Sequence, residues 1–371
     1  MDLEKFLKEN KGEHFNFVVP TTYKISTGSI ELDEAMDGGF SPGIHRLCGT
    51  SEGGKSSLAL IVANNFLQTV DNSRVILIKA EGRLSDKAKI RAGLEFTEDP
   101  VHWKQNPQKV FVFKCNIFDV VAQLVYDLTT DNPDGLKYMF IIDSMDGLIL
   151  RADTQKSFDG DESVKIAGPQ VLTKRLFKQT SLPVAEYGHM VFTLAQVIAK
   201  IPPKYEVKEQ MNVGGSGGNA AIHFSNFILR FMPRYKSDYI TKDGSAVELD
   251  SSENNVAGHW CNIEIQKSDN EKSGTKVSYP IKHGESGLNC IWREKEYYTA
   301  LIRRQLLTKE KAWHHLSESF QAALKNHLDS DVEVPEKLYG EPKLTAFLSE
   351  PKVAKAIGDI LFNYINKDVS L

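Results

Sequence analysis

Cysteine is scarce in this 371-residue chain. Its four cysteines, Cys48, Cys115, Cys261 and Cys290, lie far apart with no metal-ligand spacing. That excludes a disulfide framework and a Cys-based zinc site, and leaves four reduced thiols as the expectation. Long apolar runs are also missing: no stretch approaches the ~18 residues that span a bilayer. The opening "MDLEKFLKENKGEH" lacks the apolar core of a secretory signal, so a cytoplasmic location with no membrane partner is expected. Nor is there a strong charge of one sign, since 45 Lys and Arg face 49 Asp and Glu for a net charge of −4. A protein that coats nucleic acid with its whole surface is basic, so any DNA contact must come from a local patch or groove. No internal repeat or low-complexity tract is evident, which sets aside a solenoid. What remains has the length for one large α/β domain plus a smaller appendage.

Short β-rich apolar runs recur along the chain: "VILIKAE" (75–81), "KVFVFK" (109–114), "YMFIID" (138–143), "MVFTLAQ" (190–196), "FILRF" (227–231), "WCNIEIQ" (260–266) and "TKVSYPI" (275–281). The first four are nearly continuous in apolar residues, as strands buried on both faces of a parallel sheet require. Helix-spaced segments such as "VVAQLVYDL" (120–128) and "VLTKRLF" (171–177) separate them, the alternation that signals an α/β domain. The last three runs sit closer together and predict an antiparallel extension. Two long polar stretches, 151–168 and 197–221, and a hairpin-like insertion at 233–258 do not fit compact packing. Loops of that length inside a domain are usually functional or disordered. Beyond Gly287 the composition shifts to charged helices, which predicts a small helical C-terminal domain over 288–371.

One stretch carries chemistry. "GTSEGGKS", Gly49 to Ser56, matches G-x-x-x-x-G-K-[ST] between an apolar run, "GIHRLCG", and a helix-forming run, "LALIVANNFL". That strand–loop–helix setting is what a phosphate-binding loop needs. Backbone N–H groups of Gly49, Thr50, Ser51, Glu52, Gly53, Gly54, Lys55, Ser56 and Ser57 would surround the phosphates, aided by the helix N-terminus. Lys55 would reach the β- and γ-phosphates, and Ser56 would offer a hydroxyl to Mg2+. Asp143, ending "YMFIID", is the second candidate for the Mg2+ shell; its alternative is a helix-capping aspartate. Glu81, ending "VILIKAE", is the candidate to activate water. Lys79 lies two residues before it on the same strand face, about 7 Å away. A Lys79–Glu81 pair would hold the carboxylate ionised and weaken it as a base, so a structural ion pair stays open as the alternative.

From these residues onward the chain resembles the RecA family of recombination ATPases. The most specific part is "ISTGSIELDEAMDGGFSPGIHRLCGTSEGGKSSLAL" (25–60), similar to the family's "STG…LD…GG" opening before its phosphate loop. "LIKAEG", "FIIDSMDGL", "FTLAQ" and "VGGSGGNAAIHFSNFILRF" resemble the catalytic-Glu strand, the Mg2+ strand, the γ-phosphate-sensing Gln strand and the second DNA loop. Order and spacing hold over about 15–287, and "LTKRLFKQTSLP" with the C-terminal layout is most similar to the phage UvsX-type branch.

The resemblance implies an α/β fold: a RecA-like ATPase core at 25–287 with a mostly parallel central sheet, an N-terminal polymerisation arm at 1–24 bearing Phe15 and Phe17 as knobs, and the helical C-terminal domain. It implies that Glu81 activates water, that Gln196 senses the γ-phosphate, and that Lys267 reaches a neighbouring subunit's ATP. The family's second basic position is Asp269 here, with Lys272 nearby. An aromatic residue of relatives is replaced by Lys89, so no adenine-stacking residue is assigned.

The two polar stretches match the family's DNA loops. Lys200, Lys204 and Lys208 recur every four residues, with Glu206 and Glu209 partly offsetting them. Backbone donors at Gly214, Gly215, Gly217 and Gly218 would add sequence-independent phosphate contacts, and Arg175 and Lys178 would extend the track with Lys174. The implied function is a single-stranded-DNA-dependent ATPase that uses ATP and Mg2+, forms helical filaments and pairs its strand with homologous double-stranded DNA. Loading or single-strand-binding accessory proteins fit among its partners, and the host cytoplasm is the location if a phage encodes it. A ring-forming RecA-fold motor such as a replicative helicase is the alternative, disfavoured by the short N-terminal arm. A regulatory ATP-binding scaffold is a third reading.

Overall fold

The computed structural model describes residues 2–82, 84, 86–154, 168–197, 218–242, 255–329 and 332–368. Its centre is a ten-stranded sheet built from β1 (Gly43–Gly49), β2 (Ser73–Lys79), β3 (Phe96–Thr97), β4 (Val110–Lys114), β5 (Lys137–Asp143), β6 (Met190–Gln196), β7 (Phe227–Phe231), β8 (Tyr239–Thr241), β9 (Val256–Lys267) and β10 (Lys276–Lys282). The strand order is β10-β9-β7-β1-β6-β5-β2-β4-β3, with β8 paired to β9. All pairs from β7 to β3 are parallel, whereas β9 pairs antiparallel with β7, β8 and β10. The fold is therefore mixed α/β with a mostly parallel central sheet, in keeping with a RecA-like core.

Alternation along the inner strands fills both faces. Leu47, Leu77, Ile141 and Leu194 pack in one apolar layer with Leu58, Ile61 and Phe66 of the helix Lys55–Thr69. Ile44, Ile76, Phe140 and Val191 point the opposite way, into a layer with Val121, Val125, Leu176 and Phe177. The helices are α1 (Leu3–Glu9), α2 (Ile30–Ala35), α3 (Lys55–Thr69), α4 (Asp86–Ala92), α5 (Pro100–Gln105), α6 (Phe118–Thr130), α7 (Gly168–Glu186) and α8 (Gly218–Phe224). Burying a residue such as Phe66 or Phe140 completely contributes roughly 2–3 kcal/mol, which is why near-continuous apolar strands settle in the middle of such a sandwich. Among the described residues no helix is long and apolar enough to cross a membrane, and all four cysteines are free thiols.

The run 227–231 joins the antiparallel extension on one side, where β7 pairs antiparallel with β9, and the parallel sheet on the other, where it pairs with β1. One expectation needs correction. The region after Gly287 is not purely helical. Helices Arg293–Arg303, Glu318–His327, Gly340–Ser349 and Pro351–Asp368 enclose an apolar cluster together with a three-stranded antiparallel sheet of β11 (Leu307–Glu310), β12 (Trp313–Leu316) and β13 (Lys337–Tyr339).

This C-terminal region is tied to the core through charge. Glu296 is 1% exposed and accepts hydrogen bonds from the Ser29 hydroxyl and the Glu31 backbone N–H at the start of α2. Arg303 pairs with Glu31 and Glu34, and Arg304 with Glu34. At the other terminus α1 buries no residue. Phe15 lies edge-on to Tyr187 at 5.5 Å between centroids, while Phe17 and Val19 stay exposed.

Candidate functional site

The phosphate loop joins β1 to α3 and rests on the end of β7. Gly49 has φ of +143°, and a Cβ there would sit 2.3 Å from the Phe231 carbonyl oxygen, so only glycine allows the close approach. Gly54, at φ +106°, caps α3 without a side-chain hydrogen bond. The first N–H groups of α3 are left to an anion, and the helix has 15 residues to supply the dipole. Lys55 Nζ donates to the carbonyl oxygens of Gly49 (3.0 Å) and Thr50 (2.6 Å), folding back over the loop. Burial pushes its ammonium below the ordinary lysine value, while Asp143, Asp146 and Glu81 are among the charges that pull it back up.

Parallel pairing brings the C-terminal ends of β1, β2, β5 and β6 to one edge, where α/β sites form. Ser56 Oγ lies 3.4 Å from Asp143 Oδ2. A hydroxyl beside a carboxylate, next to a phosphate cradle, is a hard oxygen set that fits Mg2+. Lys79 pairs with Asp143 at 2.7 Å, not with Glu81. The register explains it: Lys79 and Asp143 are direct partners across β2 and β5, about 4.8 Å apart, closer than the next same-face residue along the strand. Glu81 instead accepts from the Ser144 hydroxyl at 2.5 Å. Its Cγ also packs against Gly147, where an added Cβ would come within 2.3 Å of it. The end of β5 supplies the metal candidate Asp143, and the turn that follows sets Ser144 and Gly147 against the water candidate Glu81.

A cavity of about 500 Å3 runs from Gly53–Ser57 to Arg91, His259, Tyr279, His283 and Cys290. Arg234 donates to the Glu52 carbonyl (3.1 Å) and lies 2.9 Å from His259 Nε2; His259 Nδ1 is 2.8 Å from His283 Nε2. Because a guanidinium can only donate, His259 Nε2 accepts and its Nδ1 carries the proton given to His283. Burial, reinforced by Arg234 and the neighbouring imidazole, pushes His259 down to about 3, and burial also lowers His283. With both Nε2 atoms accepting a hydrogen bond, neither ring carries a second proton. A larger cleft of about 810 Å3 lies between the core and the C-terminal helices, remote from the phosphate loop. Lys89 pairs with Asp86 and lines a third cleft, outside the cavity that reaches Gly53–Ser57.

Gln196 ends β6, opposite Gly49 in the register with β1, so it stands one strand spacing from the start of the phosphate loop. Its backbone N–H donates to Asp146 Oδ2 at 2.6 Å. Lys267 Nζ donates to the carbonyl oxygens of Ile222 (3.0 Å) and His223 (2.8 Å), occupying the C-terminal end of α8. Burial lowers its ammonium, with Asp269 acting in the other direction. Within one chain it therefore touches α8 and not the phosphate loop. Lys174, Arg175 and Lys178 are exposed on α7, whose Thr173, Leu176, Phe177 and Thr180 face inward. Gly218 opens α8. Lys200, Lys204, Lys208, Gly214, Gly215 and Gly217 lie outside the described residues, as do 155–167 of the first polar stretch.

Sequence reasoning missed Ser144, Asp146, Gly147, Arg234, His259 and His283. The only local signal was polar residues directly after an apolar strand, in "FIIDSMDG". The Arg–His–His chain joins residues distant in sequence and had none.

No protein-family model matches the chain. It is similar to the RecA protein of Malacoplasma penetrans (strain HF-2), 24% identical over 360 residues, which span 93% of this chain and 92% of that protein. Distant but near-full-length similarity of this kind supports the RecA family.

Proposed function

We propose that this chain is a DNA-dependent ATPase of recombination and repair, which polymerises on single-stranded DNA, pairs it with homologous duplex and exchanges strands. The observation that carries this reading is the meeting of Lys55, Ser56, Asp143 and Glu81 at one sheet edge, with Gln196 beside them at the root of the segment that follows β6. The similarity to RecA supplies the DNA side of the reading. Within that family we place the chain in the phage UvsX-type branch on "LTKRLFKQTSLP" and the C-terminal layout.

In this account the loop N–H groups and the α3 N-terminus hold the phosphates of ATP, and Lys55 leaves its carbonyl partners to meet the terminal phosphate. The remainder of the nucleotide occupies the cavity toward Arg91 and His283. Ser56 and Asp143 hold Mg2+, which when bound neutralises charge developing on the phosphates. Glu81, oriented by Ser144, takes the proton of the attacking water. The Gln196 amide donates to a γ-phosphate oxygen and loses that bond after hydrolysis, a two-state element that biases the DNA-facing segment. Lys267 of one subunit leaves α8 to complete a neighbour's site, so assembly and turnover are coupled. Arg175 and Lys178 contact phosphates together with the segment 197–221, and the N-terminal arm links subunits.

Negative-stain imaging with single-stranded DNA and a non-hydrolysable ATP analogue tests this directly. Helical filaments that need both ligands are expected. Hexameric rings, or no polymer under any condition, would overturn the reading in favour of a motor or a scaffold.

A further inference from the structure

The strands around Gln196 leave one donor that the sheet cannot satisfy. The β5–β6 ladder runs only from Met139↔Met190 to Ile142↔Thr193, whereas β1 stays paired with β6 through Gly49↔Gln196. Val197 N–H donates to the Gly49 carbonyl at 3.3 Å. In a parallel strand successive N–H groups point to opposite neighbours, so Gln196 N–H points to the β5 side, past the end of β5. There the carboxylate of Asp146 takes the place of the missing ladder carbonyl, at 2.6 Å. Asp146 sits on the 3-10 turn Met145–Gly147, directly after Asp143 and Ser144. Its charge also acts on Lys55 and on Arg46, which is buried on β1.

We propose that Asp146 is a positioning residue that clamps the backbone of Gln196 and ties its side chain to the turn carrying Asp143 and Ser144. A strand end bonded on one side alone frays and lets its side chain wander. With both sides bonded, the Cα–Cβ direction of Gln196 is set toward the face of Leu194, the layer packed on α3 behind the phosphate loop. The carboxylate makes a charge-assisted bond, stronger than a peptide carbonyl would make there. Movement of the metal-side turn therefore reaches the end of β6 through a single bond. The inference rests on the DNA-dependent ATPase reading above and adds the residue that transmits the nucleotide state.

The test compares full-length wild type with Asp146→Ala and Asp146→Asn. Asparagine keeps an oxygen acceptor for the N–H without the charge. The first readout is the ratio of oligo-dT affinity with ATPγS to that with ADP. Wild type is expected to show at least a tenfold ratio, Asp146→Ala a ratio below threefold, and Asp146→Asn a recovery of at least half the wild-type effect. The second readout is hydrogen exchange across 190–197, where the nucleotide-dependent protection of wild type is expected to vanish in Asp146→Ala. An alanine variant that melts lower but keeps the wild-type affinity ratio and protection would make the bond merely structural and overturn the proposal. Wild type with no nucleotide-dependent DNA affinity would sink the DNA reading, while the exchange readout alone would still decide for or against the clamp.

Discussion

Replacing Gly147 by alanine tests the water-activating role proposed for Glu81 without touching a titratable group. The added Cβ would lie 2.3 Å from Glu81 Cγ, 3.0 Å from its Oε1 and 3.1 Å from the Ala80 carbonyl oxygen. Carbon atoms in contact sit at about 3.5–4.0 Å, so the Glu81 side chain must retreat by roughly 1.2 Å. The backbone at Gly147 lies outside the left-handed region, so alanine itself adds no strain there. The retreat pulls the carboxylate from the Ser144 hydroxyl, its partner at 2.5 Å. A misplacement near 1 Å costs about a hundredfold in rate, or roughly 2.7 kcal/mol of barrier. Steady-state ATPase assays with single-stranded DNA should show kcat down by about two orders of magnitude. Binding of a fluorescent ATP analogue should change little, because the phosphate loop is untouched. A normal kcat, or lost nucleotide binding with the fold intact, would refute the assignment.

Three further outcomes follow from the same geometry. Burial, against hydrogen bonds from Ser29 and Glu31, raises Glu296 from 4.5 to about 7. The folded state then holds that proton more tightly than the unfolded chain, so its contribution is complete below pH 4.5 and lost as pH rises through 7, about 3 kcal/mol in all. Glu296→Gln should raise urea stability at pH 8 by part of that amount and leave pH 4 unchanged; an unaltered pH slope would contradict it. Lys79 shares Asp143 with the metal site, so Lys79→Ala should lower the Mg2+ concentration for half-maximal ATPase about fivefold, near 1 kcal/mol; a higher requirement would count against Asp143 as the ligand. The double variant Arg175→Ala, Lys178→Ala should weaken single-strand binding and flatten the slope of log affinity against log salt by about 1.4; an unchanged slope would remove α7 from the DNA track.

The parallel core could be read from the chain because its strands are apolar on both faces, and each of "VILIKAE", "YMFIID" and "MVFTLAQ" became a strand within two residues of its expected limits. β7 reads as the start of the antiparallel extension, which its pairing with β9 bears out; its second, parallel pairing with β1 depends on a partner distant in sequence and left no local signal. β11 and β12 escaped notice because "LTKE" and "WHHL" are four residues each, and cross-strand pairing, with β13 as the third partner, makes them strands. In the site, Lys55 and Ser56 stood out because the loop motif fixes their spacing locally, and Asp143 because it ends an apolar strand. The partner of Lys79 was not, since a cross-strand register between β2 and β5 decides it. The Asp146–Gln196 bond was invisible for a related reason: it forms only because the β5–β6 ladder ends at Ile142↔Thr193, three residues before Gln196.

The most direct measurement is the ATPase rate of wild type at low salt with and without single-stranded DNA, run beside Lys55→Ala. A rate that rises at least tenfold with DNA in wild type and is absent in the variant is the predicted result. Equal rates with and without DNA, or turnover that survives loss of the Lys55 ammonium, would contradict the claim that this phosphate loop drives a DNA-coupled machine.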